Sequence, residues 1–428
     1  MTSSPGSPTV PSTPSPAPAG LPQAHGRLTA LEGVRALAAL MVLVFHVAME
    51  TGAALAPGVP GALLARGEMG VPLFFALSGF LLYRPWASAA LDGVRGPRAR
   101  GYLWRRALRV LPAYWIVAVT AMLLWSRDRI ASVPAWAEVL TLTFVYDPGP
   151  WWVGTGPPGL GQMWSLCVEA AFYLALPVLA ALLARHAARS APADGVGGRA
   201  RRLLAGLAAL AGLAVLATLL QFYPEPRPQL HAWLPRTLGM FAVGMALAVL
   251  AEWARREPGP DGPVRRLCRT LPRSATLCWL TAGACYLVAA TPATGPRFVG
   301  VDGFWVALVD MATSMLFAFF VIAPAALLPD PAVAVPAEGR WLPALLRHPV
   351  AGYLGRVSYG IFLWQFVVLY LWREFTGQEI FTGSFWLDLV PVTAGTLLLA
   401  AATHRWVEEP VRRWGARRRR TADPPPAP

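Results

Sequence analysis

The residues Leu31 to Glu50, LEGVRALAALMVLVFHVAME, constrain this chain more than any other stretch. The segment is long and apolar enough to cross a bilayer as a helix, yet it carries Arg35 and His46 within it. Eleven residues of α-helix return the chain to within roughly 20° of the same face, about 16 Å further along. One face of one membrane helix therefore holds a cation near one end and an imidazole near the other. Ionisable groups inside a span are costly and usually face a protein interior or a water-filled cavity. The competing reading is an arginine snorkelling to the headgroups and a structural histidine.

Composition extends this to the whole chain. Of 428 residues 55% are hydrophobic and only 14% charged, with a mean hydropathy of +0.47, which points to an all-α, polytopic membrane helix bundle. The formal net charge is +14, and all 37 basic side chains are arginine. They sit in short loops between apolar spans, so membrane topology and anionic lipid explain them better than nucleic acid does. Cys167, Cys268, Cys278 and Cys285 have neither the spacing of a metal site nor that of a disulfide framework. The Ala, Arg, Gly and Pro bias fits a bacterial genome rich in GC.

About ten spans follow from hydropathy: 28–50, 70–90, 111–125, 162–183, 203–222, 233–253, 275–290, 304–328, 350–372 and 385–406. A short amphipathic piece, Trp136 to Val145, and a Pro/Gly/Trp-rich run around Trp151 and Trp152 lie between the third and fourth. Residues 1–26 read as a disordered Pro/Ser/Ala-rich tail, 27–414 as the membrane domain and 415–428 as a basic, Pro-rich disordered tail. Arginines alternate between loops: Arg95 to Arg109, Arg185 to Arg202, Arg255 to Arg273 and Arg417 to Arg420 fall on one side. Asp147, Glu225, Asp302, Glu374 and Glu379 fall in the loops opposite. The positive-inside rule then makes both termini cytoplasmic, with which an even number of spans agrees.

Five blocks carry polar chemistry at membrane depth. Gly70-Val71-Pro72 and Ser78-Gly79-Phe80 open the second span, where small residues let helices approach; Ser78 suits packing as well as substrate contact. Arg105, Arg106 and Arg109 lie three and four apart, so on a helix they cluster, and planar guanidinium groups grip phosphate oxygens bidentately. An anchor for lipid headgroups is the other use of such a cluster. Trp164, Ser165 and Glu169 open the fourth span, and depth allows Glu169 to meet His46, where a carboxylate would orient the ring as a general base. Gly355-Arg356-Val357-Ser358-Tyr359 opens the ninth span; Glu408, near the end of the chain, could pair with Arg356 or with the Arg105–Arg109 cluster. No metal-ligand cluster appears in the sequence.

In order along the chain, these segments resemble the acyltransferase-3 family of bacterial integral-membrane acyltransferases. The matching blocks are Arg35 with His46, Gly70 to Phe80, Arg105 to Pro112, Trp164 to Tyr173, Gly355 to Leu363, and Glu408 to Pro410. One departure is Gln365, where the family usually has His. The chain also looks like a stand-alone form, without the C-terminal hydrolase-like domain of some relatives. The resemblance implies transfer of an acyl group, often acetyl, from acyl-CoA to a hydroxyl of a surface glycan, a lipid-linked sugar or a secreted metabolite such as a macrolide. It places the enzyme in the bacterial cytoplasmic membrane. The CoA diphosphate would dock at Arg105, Arg106 and Arg109, Arg35 would guide the thioester, and His46 with Glu169 would take the acceptor proton. Trp164, Ser165, Ser78 and Tyr359 are candidate substrate contacts, Glu408 and Arg356 structural partners, and no metal is implied.

A transporter or flippase using Arg35, His46 and Glu169 as a relay is the alternative, although no internal repeat relates the two halves. A membrane sensor or scaffold is a third reading, in which substitution of Arg35 or His46 is harmless.

Overall fold

The computed structural model describes residues 21–23, 28–259, 261–297, 303–329 and 340–422. The expected N-terminal tail, apart from 21–23, lies outside these residues, as do Asp302 and 423–428. Among the described residues there is no strand, only an isolated bridge between Pro22 and Pro329. The α-helices in chain order are α1 (Thr29–Glu50), α2 (Val59–Ala65), α3 (Gly70–Asp92), α4 (Ala99–Trp125), α5 (Val133–Leu140), α6 (Trp164–Ala187), α7 (Gly195–Phe222) and α8 (Leu234–Arg256). They continue as α9 (Pro263–Arg273), α10 (Ala275–Ala289), α11 (Phe304–Ala326), α12 (Trp341–Leu346), α13 (Pro349–Thr376), α14 (Phe385–Thr403) and α15 (Glu409–Ala422).

Among the described residues nine helical segments are long and apolar enough to cross a membrane. The seventh expected span, 275–290, is α10, which has only 15 residues, or about 22 Å of helix. It nevertheless joins the two ends of the bundle. Near its start Thr276 accepts a hydrogen bond from Trp341 at 2.9 Å, beside α12, whose Leu346 backbone lies against Gly33 at the beginning of α1. Near its end Tyr286 donates to the Leu63 carbonyl at 2.6 Å, and the turn beyond it offers the Gly295 carbonyl to Arg66, on the segment that follows α1.

Glycines decide which helices touch most closely. A Cβ on Gly244 of α8 would sit 1.8 Å from the Ala76 carbonyl oxygen of α3, and one on Gly79 would sit 2.2 Å from that of Phe241. The two helices run parallel, and at one end Arg84, Arg255 and Arg256 surround the buried Glu252. Helices α1 and α13 are also parallel. Gly355 abuts the Glu32 carbonyl, His46 meets Gln365, and Glu50 pairs with Arg373 at 2.5 Å. Hydrophobic burial does not drive such packing in lipid; close backbone approach through small residues does. The outward faces fit that setting. On α6, Leu174, Val178 and Leu182, spaced four apart, are 67%, 61% and 54% exposed, a stripe suited to hydrocarbon rather than water.

Several boundaries differ from expectation. The third span begins at Ala99, so its arginines belong to the same helix as its apolar part. The amphipathic piece is shorter, ending at Leu140, with Leu142 in a left-handed conformation at φ 60°. Backbone expected to be a tail from residue 415 is helical through Ala422. Helix α4 holds this last helix in place, with Trp104 6.5 Å from Trp414.

Candidate active site

Five helices bring most of the polar residues named above around one cavity of about 220 Å³. Arg35 comes from α1, Ser78 from α3, Arg106 and Arg109 from α4, Ser165, Glu169 and Tyr173 from α6, and Ser358 and Tyr359 from α13. The helical repeat sets Ser165, Glu169 and Tyr173 in a column on one face of α6. Glu169 Oε1 accepts the Tyr173 hydroxyl at 2.6 Å and also the Ser78 hydroxyl from α3. The carboxylate is thus held from two helices. Tyr359 donates to the Val110 carbonyl at 2.9 Å, tying α13 to α4 beside Arg109. Ser165 donates to the Gln162 carbonyl at 3.2 Å.

Against this one carboxylate the cavity sets three guanidinium groups. No hydrogen bond or ion pair to a described residue ties up Arg35, Arg106 or Arg109, and Arg106 Nε is buried without a partner. Three cations facing one anion leave the cavity lining with a positive balance, and guanidinium forks can bind anionic groups by charge-assisted hydrogen bonds. The arrangement needs α4 to be helical through the whole arginine cluster. Arg106 and Arg109, three residues apart, then share the face toward the cavity. Arg105, about 100° away from Arg106 around the axis, is not among the lining residues.

The expected meeting of His46 with Glu169 does not occur. His46 Nδ1 is 3.1 Å from Gln365 Oε1, and its ring lies between those of Phe45 and Phe366, at centroid distances of 5.0 and 4.5 Å. His46 is not among the residues that line the cavity, which include Phe74 and Phe362, their ring centroids 6.4 Å apart. The reason is register: Glu169 lies level with Ser78, whereas His46 lies level with Gln365, whose side chain donates to the Phe362 carbonyl at the cavity wall. Trp164 is also off the cavity, its ring 5.7 Å from that of His231. Glu408 is buried and forms no ion pair with Arg356 or with Arg105, Arg106 or Arg109; His404 Nδ1 lies 3.6 Å from its carboxylate. Arg356 instead lies over the Tyr353 ring at 5.5 Å.

Three residues went unassigned in the sequence reading. Tyr173 could have been found from its spacing four residues after Glu169. Ser358 carries no signal beyond its neighbour Tyr359. Gln162, whose amide donates to the Phe362 and Leu363 carbonyls at 3.3 and 3.1 Å, needs the packing of α6 on α13 to acquire meaning.

Comparison with known proteins places the chain in a family. A family model described as "Acyltransferase domain", acyltransferase-3, matches residues 28–405. The chain is 24% identical over 411 residues to YrhL of Bacillus subtilis (strain 168), provisionally named a peptidoglycan O-acetyltransferase, covering 92% of this chain and 56% of that protein. It is 20% identical over 400 residues to a Staphylococcus aureus (strain COL) protein provisionally named an O-acetyltransferase, covering 90% and 57%. It is 25% identical over 358 residues to nodulation protein 10 of Rhizobium leguminosarum bv. viciae, covering 80% and 81%. The chain thus spans little more than half the length of the first two relatives. No solved structure matches it.

Proposed function

The chain belongs to the acyltransferase-3 family, and from that premise we propose that it is a membrane O-acyltransferase moving an acyl group, acetyl in the first instance, from acyl-CoA to a hydroxyl. The acceptor is a carbohydrate of the cell envelope, for which peptidoglycan is one candidate, or a secreted small molecule such as a macrolide. The observation that carries the reading is the set of three arginines, Arg35, Arg106 and Arg109, facing one carboxylate in a cavity between helices.

The donor is a polyanion that cannot cross a bilayer, so its diphosphate is met from the cytoplasm, where the arginine-rich loops point if the positive-inside rule holds. Arg106 and Arg109 bind those oxygens. A crossing by α10 makes the number of spans even, which puts both termini on one side, and the positive-inside rule makes that side the cytoplasm. The cavity, at about 220 Å³, is smaller than the roughly 300–1,000 Å³ of pockets that enclose whole drug-sized ligands. It suits the thioester end of the donor, with the nucleotide left at the membrane surface. Arg35, which lines the same cavity, guides the thioester arm of the donor along α1.

Transfer then needs a base on the acceptor side. His46 lies about 16 Å along α1 from Arg35, and its Nε2 takes the proton as the acceptor oxygen attacks the acyl carbon. The C–S bond breaks, and the thiolate leaves with a proton returned from the imidazolium. General-base assistance of this kind contributes on the order of 10²–10⁴ in rate. Phe74 and Phe362 line the cavity and His46 does not, so the donor arm must reach past that lining to bring its carbonyl to the ring.

The test is purified protein with radiolabelled acetyl-CoA and a panel of acceptors: peptidoglycan fragments, lipid-linked sugars and a macrolide. Label on an acceptor with release of free CoA supports the proposal. An intact thioester alongside acceptor moved across the bilayer makes the protein a transporter.

A further inference from the structure

We infer that Gln365 is a positioning residue that holds His46 in the tautomer with its proton on Nδ1, leaving Nε2 as the basic nitrogen. The inference deepens the reading above and rests on it for its catalytic meaning, but the geometry argues the tautomer separately. A backbone carbonyl only accepts hydrogen bonds. The Gln365 atom 3.1 Å from the Phe362 carbonyl oxygen is therefore the amide nitrogen. That fixes the orientation of the side-chain amide, which an isolated glutamine leaves open. The other end of the amide, Oε1, is an acceptor and lies 3.1 Å from His46 Nδ1. Nδ1 must then carry the hydrogen.

The chain of constraint ends at Nε2. It forms no hydrogen bond to a described residue, so its lone pair remains for a substrate hydroxyl. Gln162 strengthens the arrangement by donating to the same Phe362 carbonyl at 3.3 Å and to that of Leu363 at 3.1 Å, fastening this turn of α13 to the start of α6. The flanking rings of Phe45 and Phe366 limit rotation of the imidazole. A histidine at position 365 could present a donor or an acceptor and could itself be protonated; the amide oxygen facing His46 only accepts and carries no charge. Gln365 thus sets the direction of the hydrogen bond where a second imidazole would leave it open.

Selective ¹⁵N labelling of histidine in the full-length protein, reconstituted in lipid nanodiscs at neutral pH, reads the tautomer directly. The chain has six histidines, and the His46 signals are those lost in His46→Ala. The expected spectrum shows a protonated Nδ1 and an unprotonated Nε2. Gln365→Glu, which retains an acceptor oxygen, keeps that pattern, whereas Gln365→Leu spreads His46 over both tautomers. In Gln365→Leu kcat falls on the order of 10–100-fold, the scale seen when the group orienting a working histidine is removed. A wild-type spectrum with the proton on Nε2, or a Gln365→Leu spectrum unchanged from wild type, overturns the inference. Because the wild-type spectrum decides by itself, a variant that fails to fold does not obscure the result. Should the Nδ1–H pattern appear while His46→Ala still transfers acyl groups, the tautomer stands and the general-base reading falls.

Discussion

Tyr173 donates its hydroxyl to Glu169 at 2.6 Å, one turn away on the same helix, while Ser78 donates to the same carboxylate oxygen from α3. Hydrogen bonds to a charged group contribute about 1.5–3 kcal/mol, and here they aim the one acid among three cavity arginines. Tyr173→Phe and Ser78→Ala should each lower kcat about tenfold with normal expression, and Glu169→Gln should lower it further. Steady-state kinetics of the purified variants checks the order. Equal activity for all three would remove the carboxylate from the working site.

The arginines of α4 separate by their angle around the helix. Arg106→Ala and Arg109→Ala should each raise the KM for acyl-CoA about tenfold or more, the scale of one lost charge-assisted contact. Arg105→Ala, off the cavity lining, should change it less than about fivefold, by analogy with exposed ion pairs worth at most about 1 kcal/mol. Initial rates at varied donor concentration read this directly. A larger effect at Arg105 would mean that the donor lies outside the cavity.

How much of this was legible beforehand depends on the range of the signal. Arg35, Ser78, Arg106, Arg109, Glu169 and Tyr359 were readable as polar residues at membrane depth, because a charge or hydroxyl inside an apolar span is conspicuous in one dimension. Their convergence on one cavity was readable only as depth. Depth also suggested that His46 would meet Glu169, and it failed there because it says nothing about rotation about the helix axis or which helices are neighbours. The partners of His46 and Glu408 depend on that rotation and on the side-by-side packing of α1 with α13. Helix ends were missed for another reason: α4 and α15 continue through arginine-rich sequence that hydropathy scores as loop, although arginine is a good helix former.

The contact of α3 with α8 makes a structural prediction. At Gly244 any side chain would start 1.8 Å from the Ala76 carbonyl oxygen, a backbone atom that cannot move aside. Gly244→Val should abolish folded protein, seen as loss of the monodisperse peak in detergent. At Gly283 of α10 a Cβ meets nothing within 4 Å, so Gly283→Ala should leave folding intact and stabilise the helix by up to about 1 kcal/mol. Equal yields of the two variants would contradict the packing.

Glu252 offers a second test of the fold. It is 1% exposed and receives hydrogen bonds from Arg84, Arg255 and Arg256. Removing one partner of a buried ionic group typically costs about 3–5 kcal/mol, because the opposite charges are left uncompensated. Glu252→Ala should therefore lower the thermal unfolding temperature of the detergent-solubilised protein markedly. Glu409→Ala, whose partner Arg413 is 71% exposed, should not.

The central claim is that an imidazole in the membrane acts as the general base for transfer of an acyl group from a donor held by the α4 arginines to an alcohol on the other side. Proteoliposomes of known protein orientation, given labelled acetyl-CoA on one side and acceptor on the other, measure it most directly. Product should form only when the donor is on the side of the Arg95–Arg109 loop, and His46→Ala should reduce it by at least about 10²-fold while leaving donor binding unchanged. Product formed with the donor on either side, or at an undiminished rate in His46→Ala, would contradict the account.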